Sequence, residues 1–448
     1  MYDATSDRHD PNHMSTPSIQ QQDQKTLRKA ELEALDVIDF GTLEEIFDEW
    51  MLLPDRHVLK FLVACYCANE LSQRPVWAGM IAPSGGGKTE LLNSLNELPK
   101  IYSVSLITPN TFLSGMPGAR DTSLLPKVSG KILVFKDWTS ILSMQRDARA
   151  ELFGQFREIH DGGLRKEFGN GQSREWKGKV SIIFACTEAV DINQQQYTHL
   201  GERFIYYRPV MPNRKEVARR SLKNSAKQEA MTHALQDAMY AFLKGIDFAK
   251  YTDLPELPPD VQEELVFLSN FCTMARSGVI RDLGPRKDVI FVPTAEMPTR
   301  ILQQLSLLGS GAMIANGGHV LPEDIEMLYK VALDSIPRTN KIVIQEMAKG
   351  DRQSTASIAT ALGYPTDTIR IYLENLALLG VCTRHKETGK SDSWTMQPEF
   401  VSIIHRYEKI QQLSEEALKG REDAAKSPED LEAERMWNSL PDGPAQGA

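Results

Sequence analysis

The residues best equipped for chemistry stand together at Ala82-Pro83-Ser84-Gly85-Gly86-Gly87-Lys88-Thr89. Consecutive glycines let a backbone curl until several N–H groups face one anion, a lysine adds a mobile cation, and a following hydroxyl can enter a magnesium shell. The pattern therefore expects Pro83, Ser84, Gly85, Gly86 and Gly87 to wrap a phosphate chain, Lys88 to reach its outer oxygens and Thr89 to ligate Mg2+. Ala82 stands where such loops usually carry a first glycine. The apolar run Val76–Ile81 before the loop and the helical spacing of Leu91, Leu92, Leu95 and Leu98 after it give the strand–loop–helix setting that this chemistry needs.

Phosphoryl transfer also needs an acid on the metal side and a group that holds the attacking water. The run Lys131–Phe135 ends in Lys136-Asp137-Trp138, so Asp137 is the expected metal-side carboxylate, and it has no second acid beside it. Glu151 and Glu158, in the next helical stretch, are the remaining candidates for polarising water. The run Val180–Cys186 ends in Thr187-Glu188. Thr187 is expected beside the terminal phosphate, although threonine is also an ordinary strand-end cap. Two arginines are candidate phosphate sensors: Arg203, just before the aromatic run Phe204–Tyr207, and Arg300, in Pro298-Thr299-Arg300 at the start of a helix. Surface ion pairing is the commoner use of arginine, and Arg157 and Arg208 carry no assignment.

In this order, the glycine loop, Asp137, Thr187, Leu200-Gly201-Glu202-Arg203-Phe204 and a helical segment bearing Arg300 resemble the AAA+ ATPases over roughly residues 53–338. The resemblance implies ATP and Mg2+ as cofactors, and catalytic roles for Asp137, Thr187, Arg203 and Arg300. It implies that Arg203 acts on ATP held by an adjacent subunit, hence a homo-oligomeric ring or spiral, a hexamer being one such form. For Arg300 it implies a second sensor that reports closure of a helical lid. Within that superfamily the stretch Gly163–Lys179 looks like the β-hairpin inserted before the first sensor strand of MCM-type helicases and their relatives, with Phe168-Gly169-Asn170-Gly171 as its turn.

DNA is the expected partner on two grounds. The hairpin carries Arg165, Lys166, Arg174, Lys177 and Lys179 against Glu167 and Glu175, a net +3 in a chain of net −9, which suits sequence-independent phosphate contacts. Near the C-terminus, Ser357–Tyr364 and Thr366–Leu379 resemble the two helices of a winged helix-turn-helix. Gly363 marks the turn, Thr366 the cap, Ile369, Leu373 and Leu376 the buried stripe, and Val381–His385 with Ser393–Met396 the wing. Such a unit would offer Thr368 and Arg370 to base edges and Arg384, Lys386 and Lys390 to phosphates, while Asp367 and Glu374 oppose a nucleic-acid backbone. A winged helix that binds protein is the alternative.

The elements that must position these residues follow from periodicity. Residues 1–26 lack apolar patterning and read as a disordered arm, and 27–73 as N-terminal helices whose second member shows one face of Val58, Phe61, Leu62, Cys65, Ala68 and Leu71. Residues 74–212 alternate short β-rich runs with helices, as in a parallel α/β sheet. Residues 213–338 read as a helical lid, 339–399 as the winged helix-turn-helix, and 400–448 as a helix followed by a disordered tail. The expected fold class is thus an α/β P-loop NTPase of AAA+ type with a helical lid and a C-terminal winged helix domain.

A length of 448 residues implies several domains, and the acidic balance excludes a globally basic nucleic-acid coat protein. Five scattered cysteines, Cys65, Cys67, Cys186, Cys272 and Cys382, offer no disulfide or metal spacing. They and the lack of an apolar leader or span suggest the cytoplasm and no membrane. The function expected is an ATPase acting on DNA as a helicase-like factor, initiator or loader in a mobile element or replication system. An ATP-switched transcriptional regulator and a remodeller of a protein partner remain as alternatives.

Overall fold

The computed structural model describes residues 19–425 apart from Pro54, Gln73, residues 117–121 and 192–202, Pro212, Leu283, Pro285, Arg286 and Lys390. The expected arm before residue 19, the Leu200-Gly201-Glu202 lead-in, Lys390 and the tail beyond residue 425 lie outside the described residues.

Helix α1 (Ile19–Ala34) begins inside the stretch whose composition suggested no structure. Tertiary contacts hold it: Arg28 pairs with Asp237 at 2.6 Å, and Lys244 Nζ donates to the Glu33 and Leu35 carbonyls at its C-terminal end. Helix α2 (Phe40–Trp50) starts at Asp39, whose carboxylate accepts from Thr42 N at 2.8 Å. Helix α3 (His57–Leu71) is buried on more than the single face its spacing suggested, since Val63, Ala64 and Cys67 are covered as well.

The chain then runs β1 (Trp77–Ile81), α4 (Lys88–Asn93), β2 (Ile101–Val104), α5 (Leu125–Val128), β3 (Ile132–Phe135), α6 (Thr139–Leu142), α7 (Arg146–His160), the hairpin β4 (Gly163–Glu167) and β5 (Ser173–Lys177), β6 (Ser181–Cys186) and β7 (Ile205–Tyr207). Five strands form an all-parallel sheet in the order β2-β3-β6-β1-β7, with β6 between the strand that precedes the glycine loop and the strand that precedes Asp137. Helices cover both faces, so the strands are apolar throughout and alternate residues serve different cores. Ala78, Met80, Val134, Ile183, Ala185 and Tyr207 join one cluster, while Trp77, Phe135, Trp138, Phe184, Phe204 and Tyr206 belong to an aromatic cluster on the other face.

Beyond the sheet come α8 (Arg214–Asn224), α9 (Gln228–Lys244), α10 (Pro259–Arg276), a short hairpin of β8 (Ile280–Arg281) and β9 (Val289–Phe291), α11 (Thr299–Ala315) and α12 (Pro322–Asp334). The sequence suggested helices alone here. The β8–β9 pair is too short, and too exposed, to leave a periodic signal. Helix α11 is pressed against α3: a Cβ on Gly311 would stand 2.2 Å from the Ala64 carbonyl oxygen, so only glycine allows the approach. This is the neighbour that buries the remaining side of α3.

The C-terminal unit comprises α13 (Arg338–Ala348), β10 (Gln353–Ser354), α14 (Thr355–Leu362), α15 (Thr366–Leu378), β11 (Cys382–His385), β12 (Ser393–Met396) and α16 (Pro398–Ala425), with the three strands in the order β10-β12-β11. Gly363 ends α14 in the left-handed region at φ 68°. Thr366, expected as a cap, is instead the first helical residue, following Pro365. One buried apolar cluster runs from Leu43 to Ile410 and joins the N-terminal helices, one sheet face, α9–α12 and this unit. All five cysteines are buried free thiols, as packing residues should be. Among the described residues no helix is long and apolar enough to cross a membrane.

Candidate functional site

The glycine loop leaves the C-terminal end of β1 and enters α4, with Gly85 at φ 77° and Gly87 at φ 73°, conformations that other residues adopt only with strain. The loop has little room for side chains: a Cβ on Gly86 would lie 3.1 Å from both Pro83 O and Met211 Sδ, and one on Gly87 2.7 Å from Met51 Cε. Lys88 Nζ reaches back across the loop, donating to the Ala82 and Pro83 carbonyls at 2.7 and 2.6 Å. Burial lowers the Lys88 pKa, while Cys186 and Asp137 act in the opposite sense, so Asp137 is close enough to feel the ammonium.

Asp137 ends β3, exposed, with one carboxylate oxygen accepting from Thr139 N at 2.9 Å. Its neighbour Trp138 turns inward and stacks on Phe184 at 4.3 Å, which explains why no second acid stands there: that position belongs to the core. Thr187, at the end of β6, accepts from Ala189 N at 3.5 Å in a local turn. The next residue, Glu188, is the one that lines the cleft above the glycine loop, where it pairs with Arg338 at the start of α13. Glu151 is held elsewhere, accepting from Lys166 and Gln155, both at 3.1 Å.

The cleft has a volume of about 1200 Å³, ample for a nucleoside triphosphate. Its floor is the glycine loop, its apolar wall includes Trp50, Met51, Leu53 and Met211, and Arg214, Arg338 and Lys341 bring cations to it. Behind it lies a buried polar cluster. Lys330 donates to Asp334 at 3.0 Å and to the Arg208 carbonyl at 2.6 Å, Lys341 donates to Asp334 at 2.6 Å, and Tyr207 donates to Asp55 at 2.7 Å. Burial raises the Asp334 pKa, but Lys330 and Lys341 outweigh it and hold the carboxyl at about 2. Burial brings Lys341 down to about 8. Arg208, unassigned from sequence, is clamped by both Asp191 oxygens at 2.6 and 3.0 Å.

Arg203 and Arg300 are not in this cleft. Arg203, 8% exposed, bonds Asp161 at 3.0 Å. Asp161 also meets His160 Nδ1 at 3.3 Å, and Gln304 of α11 meets His160 Nε2 at 3.3 Å. Arg300, one turn before Gln304, lies 3.6 Å from Glu296. The two arginines thus gather on one edge, and both act electrostatically on His160, which burial, the largest influence, brings down to about 4. In the position where the sequence looked to Arg300 for a second cation over the cleft, the fold brings Arg338. The signal was available, since Pro337-Arg338 opens a helix just as Pro298-Thr299-Arg300 does. Glu188 was passed over because Thr187 suits a strand end.

The expected DNA contacts divide. Lys166 donates to Pro109 O, Asn110 and Glu151 on the body of the protein, and Arg174 donates to the Met116 carbonyl at 2.9 Å. Lys179 donates to the Asn69 and Ser72 carbonyls, both at 2.6 Å, and burial followed by Lys100 brings it down to about 8. These three support the fold. Arg165 and Lys177 project outward, each paired with a hairpin carboxylate, Glu167 at 3.0 Å and Glu175 at 2.9 Å. On the C-terminal unit Arg384 is engaged by Glu374 and Asp392 beside the Trp394 ring. Arg370 lies 3.5 Å from Glu374, and Thr368 is half-buried. Lys386 is exposed. Glu374 and Asn375 of α15 are further held by Arg281 of β8, at 3.1 and 2.8 Å.

No protein-family model and no curated protein matches the chain. Among solved structures, the apo A form of the C-terminal region of NrS-1 (residues 305–718) is similar at 14% identity and a TM-score of 0.27, over 54% of this chain and 57% of that one. The chain thus spans little more than half of that structure, and a likeness of this size establishes neither a shared fold nor a shared activity.

Proposed function

We propose that the chain is an AAA+ ATPase that binds ATP and Mg2+ in the cleft and couples its nucleotide state to the C-terminal unit, which we read as a winged helix acting on DNA. The observation that carries this reading is the convergence of Lys88, Asp137 and the Glu188–Arg338 pair around the carboxyl ends of β1, β3 and β6, where open α/β sheets bind ligands. The left-handed Gly85 and Gly87, and the lack of space for side chains at Gly86 and Gly87, fit a phosphate chain wrapped by backbone N–H groups.

Lys88 would exchange its bonds to Ala82 and Pro83 for phosphate oxygens. Mg2+ would be held by the Thr89 hydroxyl and the Asp137 carboxylate, phosphate oxygens and water completing its shell, and would offset charge on the transferring group. Among the described residues no three His, Cys, Asp or Glu side chains gather as a dedicated metal cage. A magnesium ion carried by a nucleotide needs none. Glu188, which lines the cleft, would orient water, and Arg338 would leave it for the terminal phosphate. Because α13 opens with Arg338 and carries Lys341, its position would answer to the nucleotide.

The test is ATP turnover of wild type, Lys88→Ala and Arg203→Ala across protein concentration, with and without single- and double-stranded DNA. Turnover that rises with concentration and with DNA, and falls in both variants, supports a motor completed between subunits; ATP binding without turnover in every condition sinks it and leaves a nucleotide switch. A second reading, remodelling of a protein partner, is favoured by the engagement of Lys166, Lys179 and Arg384 within the fold. Turnover stimulated only by protein would decide for it.

A further inference from the structure

Two helices of the C-terminal unit supply part of the cleft wall. Lys341 and Gln345 stand one turn apart on α13, and Tyr407 and Gln411 one turn apart on α16, so each helix presents a pair of side chains on one face. The pairs meet in two rungs. In the inner rung Lys341 and Tyr407 donate to the same oxygen of buried Asp334, at 2.6 and 3.2 Å, and the ammonium lies 4.3 Å from the centre of the tyrosine ring. In the outer rung the Gln345 amide reaches the Gln411 amide oxygen only at 3.5 Å, the outer limit of a hydrogen bond. Among the described residues neither amide has a second hydrogen-bond partner. Lys341, Gln345 and Gln411 all line the cleft, and both glutamines are half-buried there.

The inner rung is closed to a ligand: Asp334 also holds Lys330 and the Arg208 N–H, and together they keep α16 on α13 whatever the cleft contains. The outer rung is open to one. A primary amide offers a donor and an acceptor without charge, which matches a sugar hydroxyl or a base edge better than a phosphate. Gln345 also stands seven residues beyond Arg338 on α13, about 10 Å at 1.5 Å per residue, and Arg338 is the residue paired at the β6 end beside the glycine loop. We propose that Gln345 and Gln411 bind the nucleoside part of the nucleotide, so that a ligand whose phosphates lie on the glycine loop ties α16 to the sheet. The proposal rests on the reading of the cleft as a nucleotide site; to that reading it adds the nucleoside contacts, and it makes the last helix of the described chain the element that responds to occupancy.

The experiment is titration calorimetry of the full chain with ATP and with inorganic tripolyphosphate, both in Mg2+, for wild type, Gln345→Ala and Gln411→Ala, beside thermal melts and hydrogen exchange of wild-type α16 with and without ATP. Both glutamines are half-buried and weakly paired, so the variants should melt like wild type. Each should bind ATP about fivefold more weakly, the loss of one hydrogen bond, and should bind tripolyphosphate as wild type does. In wild type the amides of α16 around Gln411 should exchange more slowly once ATP is bound. ATP affinity unchanged in either variant, an equal loss for both ligands, or α16 exchange indifferent to bound ATP overturns the proposal and leaves the nucleotide site standing. A wild type that binds neither ligand sinks the nucleotide site itself, and the proposal with it.

Discussion

Arg338 and Glu188 form an ion pair at the mouth of the cleft, joining the first turn of α13 to the carboxyl end of β6. One partner belongs to the sheet and the other to the C-terminal unit, so the pair ties the helix that carries Lys341 to the strand end beside the glycine loop. Both side chains are about half exposed, so the pair itself adds little to stability. Its value is in position. Arg338→Ala should lower ATP turnover by about 10²-fold, the usual effect of removing one preorganised donor, with a much smaller change in ATP affinity. Glu188→Gln should likewise bind ATP and fail to turn it over. Steady-state rates beside equilibrium binding check this; turnover within twofold of wild type in both variants would remove them from the chemistry.

The conformation of the loop gives a test that leaves every charge in place. Gly87 sits at φ 73° with the end of the Met51 side chain in the space of a Cβ, so Gly87→Ala meets backbone strain of about 1–2 kcal/mol and displaces Met51 beside the glycine loop. Gly130 has nearly the same φ, 76°, and no atom within 4 Å of its would-be Cβ. Gly130→Ala should therefore cost similar stability and leave nucleotide affinity alone, whereas Gly87→Ala should weaken it more than tenfold. Titration calorimetry with ATP on both variants, beside thermal melts, decides; equal affinities would mean that the loop does not hold the ligand.

The parallel sheet was legible because a strand covered on both faces must be apolar throughout, and Val76–Ile81, Lys131–Phe135 and Val180–Cys186 announce themselves. The glycine loop was legible because it chains local requirements together. What stayed hidden depends on residues far apart in sequence. Nothing local tells that Lys179 caps the end of α3 or that Arg281 clamps α15, and the two helix-opening arginines, Arg300 and Arg338, look alike locally although only Arg338 comes over the cleft. Charge counting credited the hairpin with five cations, yet three of them are engaged by the body of the protein. The β8–β9 pair escaped notice because two or three residues cannot show a period of two.

His160 makes stability depend on acid. Its folded pKa is brought down to about 4 by burial, below the ordinary 6.5, so between those values the unfolded chain takes up a proton that the folded chain refuses. Stability should be independent of this group above pH 6.5, fall as pH drops through that window, and be lower by about 3 kcal/mol below pH 4, at 1.36 kcal/mol per unit. His160→Gln removes the titration. Urea unfolding at pH 7 and pH 4.5 should therefore show wild type losing more stability than the variant; parallel losses in the two proteins would assign acid sensitivity to the carboxylates instead.

The basic residues of the hairpin and of the C-terminal unit should separate by what removing them does. Lys179 donates to the last carbonyls of α3, and Lys179→Ala leaves those carbonyls short of partners at a cost of about 1–2 kcal/mol. Lys166→Ala should behave similarly, through Pro109 and Asn110. Arg165, Lys177 and Lys386 do no such work, because all three project into solvent and the pairs of Arg165 and Lys177 with hairpin carboxylates are weak. If the chain tracks nucleic-acid phosphates, each of these three replaced by Ala should leave the melting temperature unchanged and reduce the slope of log affinity against log salt by about one. Binding of labelled single- and double-stranded DNA from 50 to 200 mM salt, a range in which several phosphate contacts change affinity by orders of magnitude, measures that slope directly. A slope near zero in wild type would end the case for DNA and leave the C-terminal unit to a protein partner. A steep slope unaltered in all three variants would move the DNA to another surface of the chain.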